Sequence, residues 1–440
     1  MKKLVIVKMD SPLTLKESAQ RVPQAEPVNF AKAIIAANPN ETVDVVMLGL
    51  TVDQMEYGNN GTIRIVPYYG NPTTMKSEID EDTKIIFWQG RHSISCQMPT
   101  SPYESGANFA LLEPYNAPDY ERLNLIKMWT VMMYNFMSSA VVLNECQKFF
   151  ILTDARIPLL ELNKIDPIAV PKPLPKNIIL VTQTYHADSY MQWQNKYGNA
   201  YWYPEADIAD YMYQFKKAVY LPLHSLPLIS HSKFNKPLSQ KTGVSIFQVQ
   251  SLKYIDEYRR KKLSTALKYV DGNCTLHGKF GAPEKGIVVS YYSEFADKLL
   301  ARCIDNSNTP ECFHDSAKIL SNYQASLIIT DARYARFGLC PNRFVEAVAV
   351  GTIPLITPDV MVNCDPVLKD CIKILDICPE KTKIQKTTFE IQGDKYKVVV
   401  YDNEGRVIEY VEPRIKEVTE ILSKQLIESL ADFSDTYYEV

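Results

Sequence analysis

A chain of 440 residues has room for two domains of ordinary size. With 46% hydrophobic and 22% charged residues, it can bury a core without disulfide staples. A formal net charge of -3 and a pI of about 6.1 exclude a surface that coats nucleic acid throughout, though not a local basic groove.

The first twelve residues, MKKLVIVKMDSP, carry an apolar run of only Leu4–Val7. That is too short for the core of a signal peptide, so it reads as a first β-strand. No later segment approaches membrane-spanning length. Val28–Ala37 follows as a helix, ended by Asn38-Pro39. Strands are expected at Val43–Leu48, Ile85–Trp88, Phe149–Leu152, Asn177–Thr182 and Ala218–Leu221, with a long helix at Arg122–Leu143. This alternation predicts an α/β fold with a parallel sheet covered on both faces.

Asn235–Thr242 reads as a linker. A second α/β half then begins at Val244–Val249, followed by a basic helix, Tyr258–Tyr269, and a strand, Cys274–Leu276. A helix is expected around Ala317–Leu320. Residues Thr387–Glu412 alternate apolar and polar around Asp402-Asn403-Glu404-Gly405, which predicts a β-hairpin insertion. Arg414–Leu430 closes the chain as a helix. The nine cysteines show no C-x-x-C pair, which suits a reducing compartment better than a zinc site.

The stretch Ser326–Thr357, SLIITDARYARFGLCPNRFVEAVAVGTIPLIT, reads as strand, loop, helix and strand. Ser326–Thr330 is a buried-strand run; Arg343–Val350 is the helix, with Gly351 as its C-cap signal and Pro354 beyond. Arg343 and Glu346 stand three apart at the helix start, where backbone N–H groups and the dipole favour a phosphate. Such an Arg can bond a diphosphate, and such a Glu can accept from ribose hydroxyls. The plainer alternative is an i,i+3 surface ion pair. The segment Leu152-Thr153-Asp154-Ala155-Arg156 recurs as Ile329-Thr330-Asp331-Ala332-Arg333, each after an apolar strand. In open parallel sheets, ligands bind beyond the C-terminal ends of strands.

The R-x-x-E helix opening with its small-residue run and G-x-x-P resembles the donor-site helix of GT-B glycosyltransferases. More of the chain resembles the DNA β-glucosyltransferases of T-even bacteriophages. Lys8–Ile34, with Val22-Pro23-x-x-Glu26, is similar to that family's first loop and helix. Phe150–Pro158 resembles the strand and turn that carry its general base, and Ala218–Leu223 a later strand. Arg259, Lys262 and Gly278 resemble its phosphate-binding segment, and Arg343-x-x-Glu346 its donor helix.

The resemblance implies a GT-B fold, two Rossmann-like domains facing a cleft. Residues 1–235 would bind the acceptor, 243–413 the nucleotide sugar, and 414–440 would be a helix crossing back to the first domain. It implies an inverting transfer of a sugar, glucose or a pentose such as arabinose, from a UDP-sugar to 5-hydroxymethylcytosine in double-stranded DNA. Asp154 would be the base and Glu26 a second catalytic residue. Arg343, Glu346, Arg259, Lys262, Lys253 and Gly278 would hold the donor. Arg91, His92, His224 and Arg156 would meet the acceptor, whose base would be flipped out of the duplex. No metal ligands are expected, and any Mg²⁺ would be accessory. A phage-encoded monomer in the host cytoplasm, free of membrane, is the accompanying expectation.

Departures from the family are visible. Ser251-Leu252-Lys253 replaces its Gly-Gly-Ser, Ile255 stands where an Arg belongs, and His224 replaces a Glu. Lys253 or Arg260 could supply the missing charge. Each residue also has a plainer reading: Asp154 as a turn cap or a partner of Arg156, Glu26 as a helix-start carboxylate, His224 as a structural histidine, and the Arg259–Lys262 run as a solvated face. Two rivals remain open at this level, a GT-B enzyme with a glycan, lipid or protein acceptor and a non-catalytic nucleotide- or DNA-binding module.

Overall fold

The computed structural model describes residues 2–7, 13–20, 22–49, 52–67, 83–89, 149–153, 178–182, 185–189, 191–192, 215–247, 257–270, 272–278, 282–305, 313–330, 340–356, 384–392, 395–402, 407–411 and 415–436. The chain divides into two compact units. One comprises Met1–Gln183, Ala187–Leu223 and Ile427–Val440; the other comprises Thr184–His186 and His224–Leu426.

The first unit is built on a sheet of β1 (Lys2–Val7), β2 (Val43–Gly49), β3 (Asp53–Tyr57), β4 (Gly61–Pro67), β5 (Lys84–Gln89), β6 (Phe149–Thr153), β7 (Ile178–Thr182) and β8 (Phe215–Tyr220). The order is β3-β4-β2-β1-β5-β6-β7-β8. Every neighbouring pair is parallel except the β3–β4 hairpin. Apolar β-branched runs such as Leu4-Val5-Ile6 and Val45-Val46 are fully buried, as central parallel strands require. The β3–β4 hairpin escapes the sequence reading because its outer strand alternates half-buried and exposed residues, with no apolar run to mark it.

Helix α1 (Val22–Ala37) connects β1 to β2 and begins six residues earlier than the sequence suggests. Pro23 and Pro27 read locally as loop, yet both lie inside this helix. Pro23 falls in the first turn, where backbone N–H groups have no intrahelical partner anyway. Pro27 forgoes one bond, and burial of Ala25, Val28, Phe30, Ala31, Ile34 and Ile35 offsets that loss. Phe30 packs edge-on against Trp88 with ring centroids 5.4 Å apart.

Asp44 of β2 is held by Arg64 of β4 through a fork of 3.1 and 2.8 Å, and Thr62 adds a bond of 2.9 Å. Burial alone would raise the Asp44 pKa, but these hydrogen bonds win and hold it below 3.8. A lowered carboxylate pKa gives stability that is complete at neutral pH and is lost as pH falls through the folded-state value. Asp44→Asn should therefore cost roughly 1.5–3 kcal/mol in urea denaturation at pH 7, in the range of hydrogen bonds to charged groups. The difference from wild type should shrink below about pH 4; a gap that persists unchanged at acid pH would rule this account out.

The second unit has a five-stranded, all-parallel sheet of β9 (Val244–Phe247), β10 (Thr275–Gly278), β11 (Cys303–Asp305), β12 (Ala325–Ile328) and β13 (Ile353–Ile356), ordered β11-β10-β9-β12-β13. Its described helices include α2 (Pro227–His231), α3 (Glu257–Tyr269), α4 (Ala282–Tyr291), α5 (Ala296–Leu300), α6 (Phe313–Leu320) and α7 (Asn342–Ala349). One core of Ile246, Leu263, Leu276, Leu327, Phe344, Val348 and Leu355 joins sheet and helices. Pro354 sits on β13, the outer strand of this sheet among the described residues, where a missing N–H is tolerated.

Helix α7 ends as the Gly351 signal predicts. Gly351 has φ 70°, its N–H bonds Val348 O at 2.9 Å, and the Thr352 N–H bonds Ala347 O at 2.8 Å. This is the Schellman pattern, which needs the left-handed residue that only glycine supplies cheaply.

Strands β14 (Ile384–Gln392), β15 (Lys395–Asp402) and β16 (Val407–Val411) form a separate antiparallel sheet. The expected hairpin is thus a three-stranded meander, because a second reversal falls between Gln392 and Lys395. Helix α8 (Ile415–Asp435) has its first part in the second unit, where Val418 and Leu422 join the core. Its last part belongs to the first unit, where Leu430 and Phe433 are fully buried. There the buried Lys84 Nζ donates to the carbonyls of Phe433 and Thr436, satisfying the orphan acceptors of the helix end. No described helix is long and apolar enough to cross a membrane.

Candidate functional site

The second unit has a topological switch point. From β9 the chain moves to β10 on one side, and later returns to place β12 on the other. In such sheets, ligands bind beyond the C-terminal ends of the strands at the switch. Helix α3 follows β9 and α7 follows β12, so the N-terminal ends of both helices belong to the same C-terminal edge of the sheet. Gly278 ends the adjacent strand β10 at that edge. Five of the expected donor residues therefore share one edge: Arg259 and Lys262 on α3, Gly278, and Arg343 and Glu346 on α7.

Arg343 and Glu346 are brought together directly. Arg343 Nη1 donates to Glu346 Oε2 at 2.5 Å. The Glu346 side chain is 7% exposed and that of Arg343 27%. A pair this buried is not the solvated surface pair that spacing alone allows. Helix α7 starts at Pro341, which makes no side-chain cap, while its carbonyl accepts from the Phe344 N–H at 2.9 Å. Asn342 Oδ1, buried in the same turn, has no hydrogen-bond partner among the described residues. A guanidinium at a helix start favours an anion, whereas the spare Asn342 Oδ1 is an acceptor and suits a donor group.

Asn342 was not visible as a site residue from sequence, and neither was His231. His231 ends α2, which packs on α7, and it is 0% exposed. Its ring stands 5.8 Å from that of His314, the second residue of α6. Burial first, then the charges of His314, Arg343 and Lys233, push its pKa down to about 3. His231 is thus a neutral imidazole within the field of Arg343. Isolated histidines give no periodic signal, so only packing could reveal this pair.

The other expected residues fall in several places. Arg259 and Lys262 are partly exposed on α3. Arg260, the alternative source of a missing charge, is engaged with Tyr291 of α4: Nη1 donates to the phenol oxygen at 2.8 Å, and the guanidinium lies 4.4 Å from the ring centroid. Glu26 is partly buried in the second turn of α1, in a helix rather than the loop expected from its flanking prolines. Helix α1 follows β1, so Glu26 is near the C-terminal edge of the first unit's sheet. His224 lies in a 3-10 turn, Leu223–Ser225, and is 0% exposed. Neither of its ring nitrogens has a hydrogen-bond partner among the described residues, and burial pushes its pKa down to about 3. Asp154, Arg156, Lys253, Arg91 and His92 lie outside the described residues; Thr153, just before Asp154, ends β6 at the C-terminal edge beside Gln89 of β5. Among the described residues, no group of three or more His, Cys, Asp or Glu is placed to hold a metal.

Two Rossmann-like α/β units in one chain are the architecture of the GT-B class. No family model matches the sequence, and no curated protein matches it. Among solved structures, the chain is similar to the T4 phage BGT in complex with UDP and Mn2+, at 14% identity over 82% of each chain and a TM-score of 0.41. It is similar to the lipopolysaccharide outer core galactosyltransferase WaaB in its apo form, at 13% identity, covering 83% of this chain and 84% of that one, with a TM-score of 0.35. A third is Anabaena Alr3699/HepE in complex with UDP-glucose, at 9% identity over 81% of each chain and a TM-score of 0.29. Likenesses this distant assign no role to any residue.

Proposed function

We propose that this protein is an inverting GT-B glycosyltransferase that moves a sugar from a UDP-sugar to 5-hydroxymethylcytosine in double-stranded DNA. The observation that carries the donor half is the switch-point edge of the second unit. There, two helix N-termini, Arg259, Lys262, Arg343 and the buried Glu346 converge on one end of a parallel sheet. A diphosphate suits the amides and guanidinium, and the Glu346 carboxylate suits a ribose diol.

In the transfer, the Asp154 carboxylate takes the proton of the acceptor hydroxymethyl group as its oxygen bonds to the sugar's anomeric carbon. The bond from that carbon to the diphosphate breaks on the opposite face, and UDP leaves with the electron pair. Arg343 and the helix N-termini offset the charge that builds on the leaving group. The DNA half rests on the sequence resemblance around Glu26 and Asp154. Arg91, His92, His224 and Arg156 are the residues assigned to the acceptor, and the reading places the reaction in a phage-infected cell.

Mass spectrometry of hydroxymethylated and ordinary DNA, each incubated with a panel of UDP-sugars, tests this. One sugar should be added per modified cytosine and none to ordinary DNA. Turnover of a free glycan with none on DNA would replace the acceptor by a glycan. Duplex binding should also weaken as salt rises, since phosphate contacts release counterions. Salt-independent binding would remove Arg91 and His92 from the DNA face.

A further inference from the structure

The segment Asn235–Thr242 leads into β9 and carries a lysine that is only 2% exposed, Lys241. Its Nζ donates to Val350 O at 2.5 Å and to Ser321 O at 3.1 Å. Val350 closes the C-terminal end of α7, and Ser321 follows the last residue of α6. Helix C-termini present orphan carbonyls with partial negative charge. One ammonium therefore ties two helix ends together.

Other bonds complete the clasp. The single O–H of Thr352 lies within reach of two carbonyls, Leu320 O at 2.8 Å and Tyr323 O at 3.0 Å. The Thr242 N–H bonds Asn322 O at 2.9 Å, and Lys236 Nζ donates to Asn322 Oδ1 at 2.5 Å. A Cβ on Gly351 would stand 2.5 Å from Asn235 Oδ1, so the segment lies tight against the turn after α7.

Burying an ammonium is costly. Desolvation, with repulsion from Lys236, pushes the Lys241 pKa down to about 8. An apolar residue of similar length would fill the same space without that cost. What it could not do is hold two carbonyl-bearing helix ends in one fixed relation. Helix α7 has eight residues and spans about 12 Å. A shift at its Val350 end is therefore carried to Glu346, one turn away, and to Arg343 at the other end.

We infer that Lys241 is a positioning residue for the donor site: by tying the C-terminal end of α7 to that of α6, it sets where Arg343 and Glu346 stand. This rests on the donor-site reading given above. The test compares UDP affinity by calorimetry with thermal stability for wild type, Lys241→Met, Asp44→Asn and Arg343→Ala, at a temperature where each is folded. Lys241→Met should weaken UDP binding about tenfold, the scale of one hydrogen bond lost at the ligand. Asp44→Asn, in the first unit, should lower Tm and leave UDP affinity as in wild type.

If Lys241→Met lowers Tm but binds UDP as wild type does, Lys241 is structural only and the inference is overturned. If that variant does not fold, Thr352→Val removes the hydroxyl tie of the same clasp; weaker UDP binding then supports the inference and unchanged binding overturns it. Arg343→Ala separates the two levels. Loss of affinity in Arg343→Ala with none in Lys241→Met removes the inference alone. Wild-type affinity in Arg343→Ala removes the donor reading and the inference together.

Discussion

Asp154→Asn should yield a folded protein that binds UDP-sugar and DNA nearly as wild type does, yet transfers sugar at least about 10²-fold more slowly. The change keeps size and hydrogen bonding but removes the ability to accept the hydroxyl proton, and a missing general base typically costs about 10²–10⁴-fold. Asp154 follows Thr153, the last residue of β6, at the C-terminal edge of a parallel strand in the middle of the first unit's sheet. Its echo, Asp331, follows Thr330 beyond β12 in the second unit. Asp331→Asn should be much milder, because only Asp154 has the family-like strand before it and Arg156-Ile157-Pro158 after it. Single-turnover rates with saturating donor and acceptor would separate chemistry from binding. If Asp154→Asn keeps most of its turnover, the base is another group. Glu26 is then the first to try, since a neutral His224 held near pKa 3 is a weak base.

Arg343→Ala should weaken UDP binding by roughly 1.5–3 kcal/mol, the usual worth of a hydrogen bond to a charged group. The free protein complicates the measurement. Glu346 is 5% exposed and receives the Arg343 bond, so removing the guanidinium strands a buried carboxylate. Arg343→Ala should therefore also lower Tm. Arg343→Ala combined with Glu346→Gln removes that charge and should recover part of the stability without recovering UDP affinity. A double variant that binds UDP as tightly as wild type would remove α7 from the donor site.

Arg343 and Glu346 show how far local pattern reaches. Their spacing of three places them on one helix face wherever that helix lies, and Gly351 announces where it stops. Spacing cannot tell a solvated pair from a buried one, because burial depends on α2 and α6 packing against α7. The same limit hides His231 and His314, which come from segments more than eighty residues apart. Lys241 is hidden more deeply, since in a stretch marked by Pro237, Ser239 and Gln240 a lysine reads as solvent-exposed linker.

Elements with short-range causes were legible. Buried parallel strands appear as β-branched apolar runs, because both faces are covered and no alternation remains. The α1 start was misread because proline carries a strong local signal, while the burial of one face of the helix is a long-range gain. The β3–β4 hairpin and the extra strand in 384–411 went unread for a related reason: an edge or meander strand is stabilised by its partner, not by its own residues.

Residue types, their spacing and their turn signals were enough to mark an α/β chain and the helix that carries Arg343 and Glu346. Strand order required the folded chain. Nothing in β9 or β12 says that they are neighbours; that follows from how crossovers pack the sheet. Yet their adjacency, with β10 on the other side of β9, puts Arg259, Lys262, Gly278, Arg343 and Glu346 on one edge. Local chemistry is written in neighbouring residues, whereas a binding edge is made by pairings between segments far apart in the chain, whose free energy no local window contains.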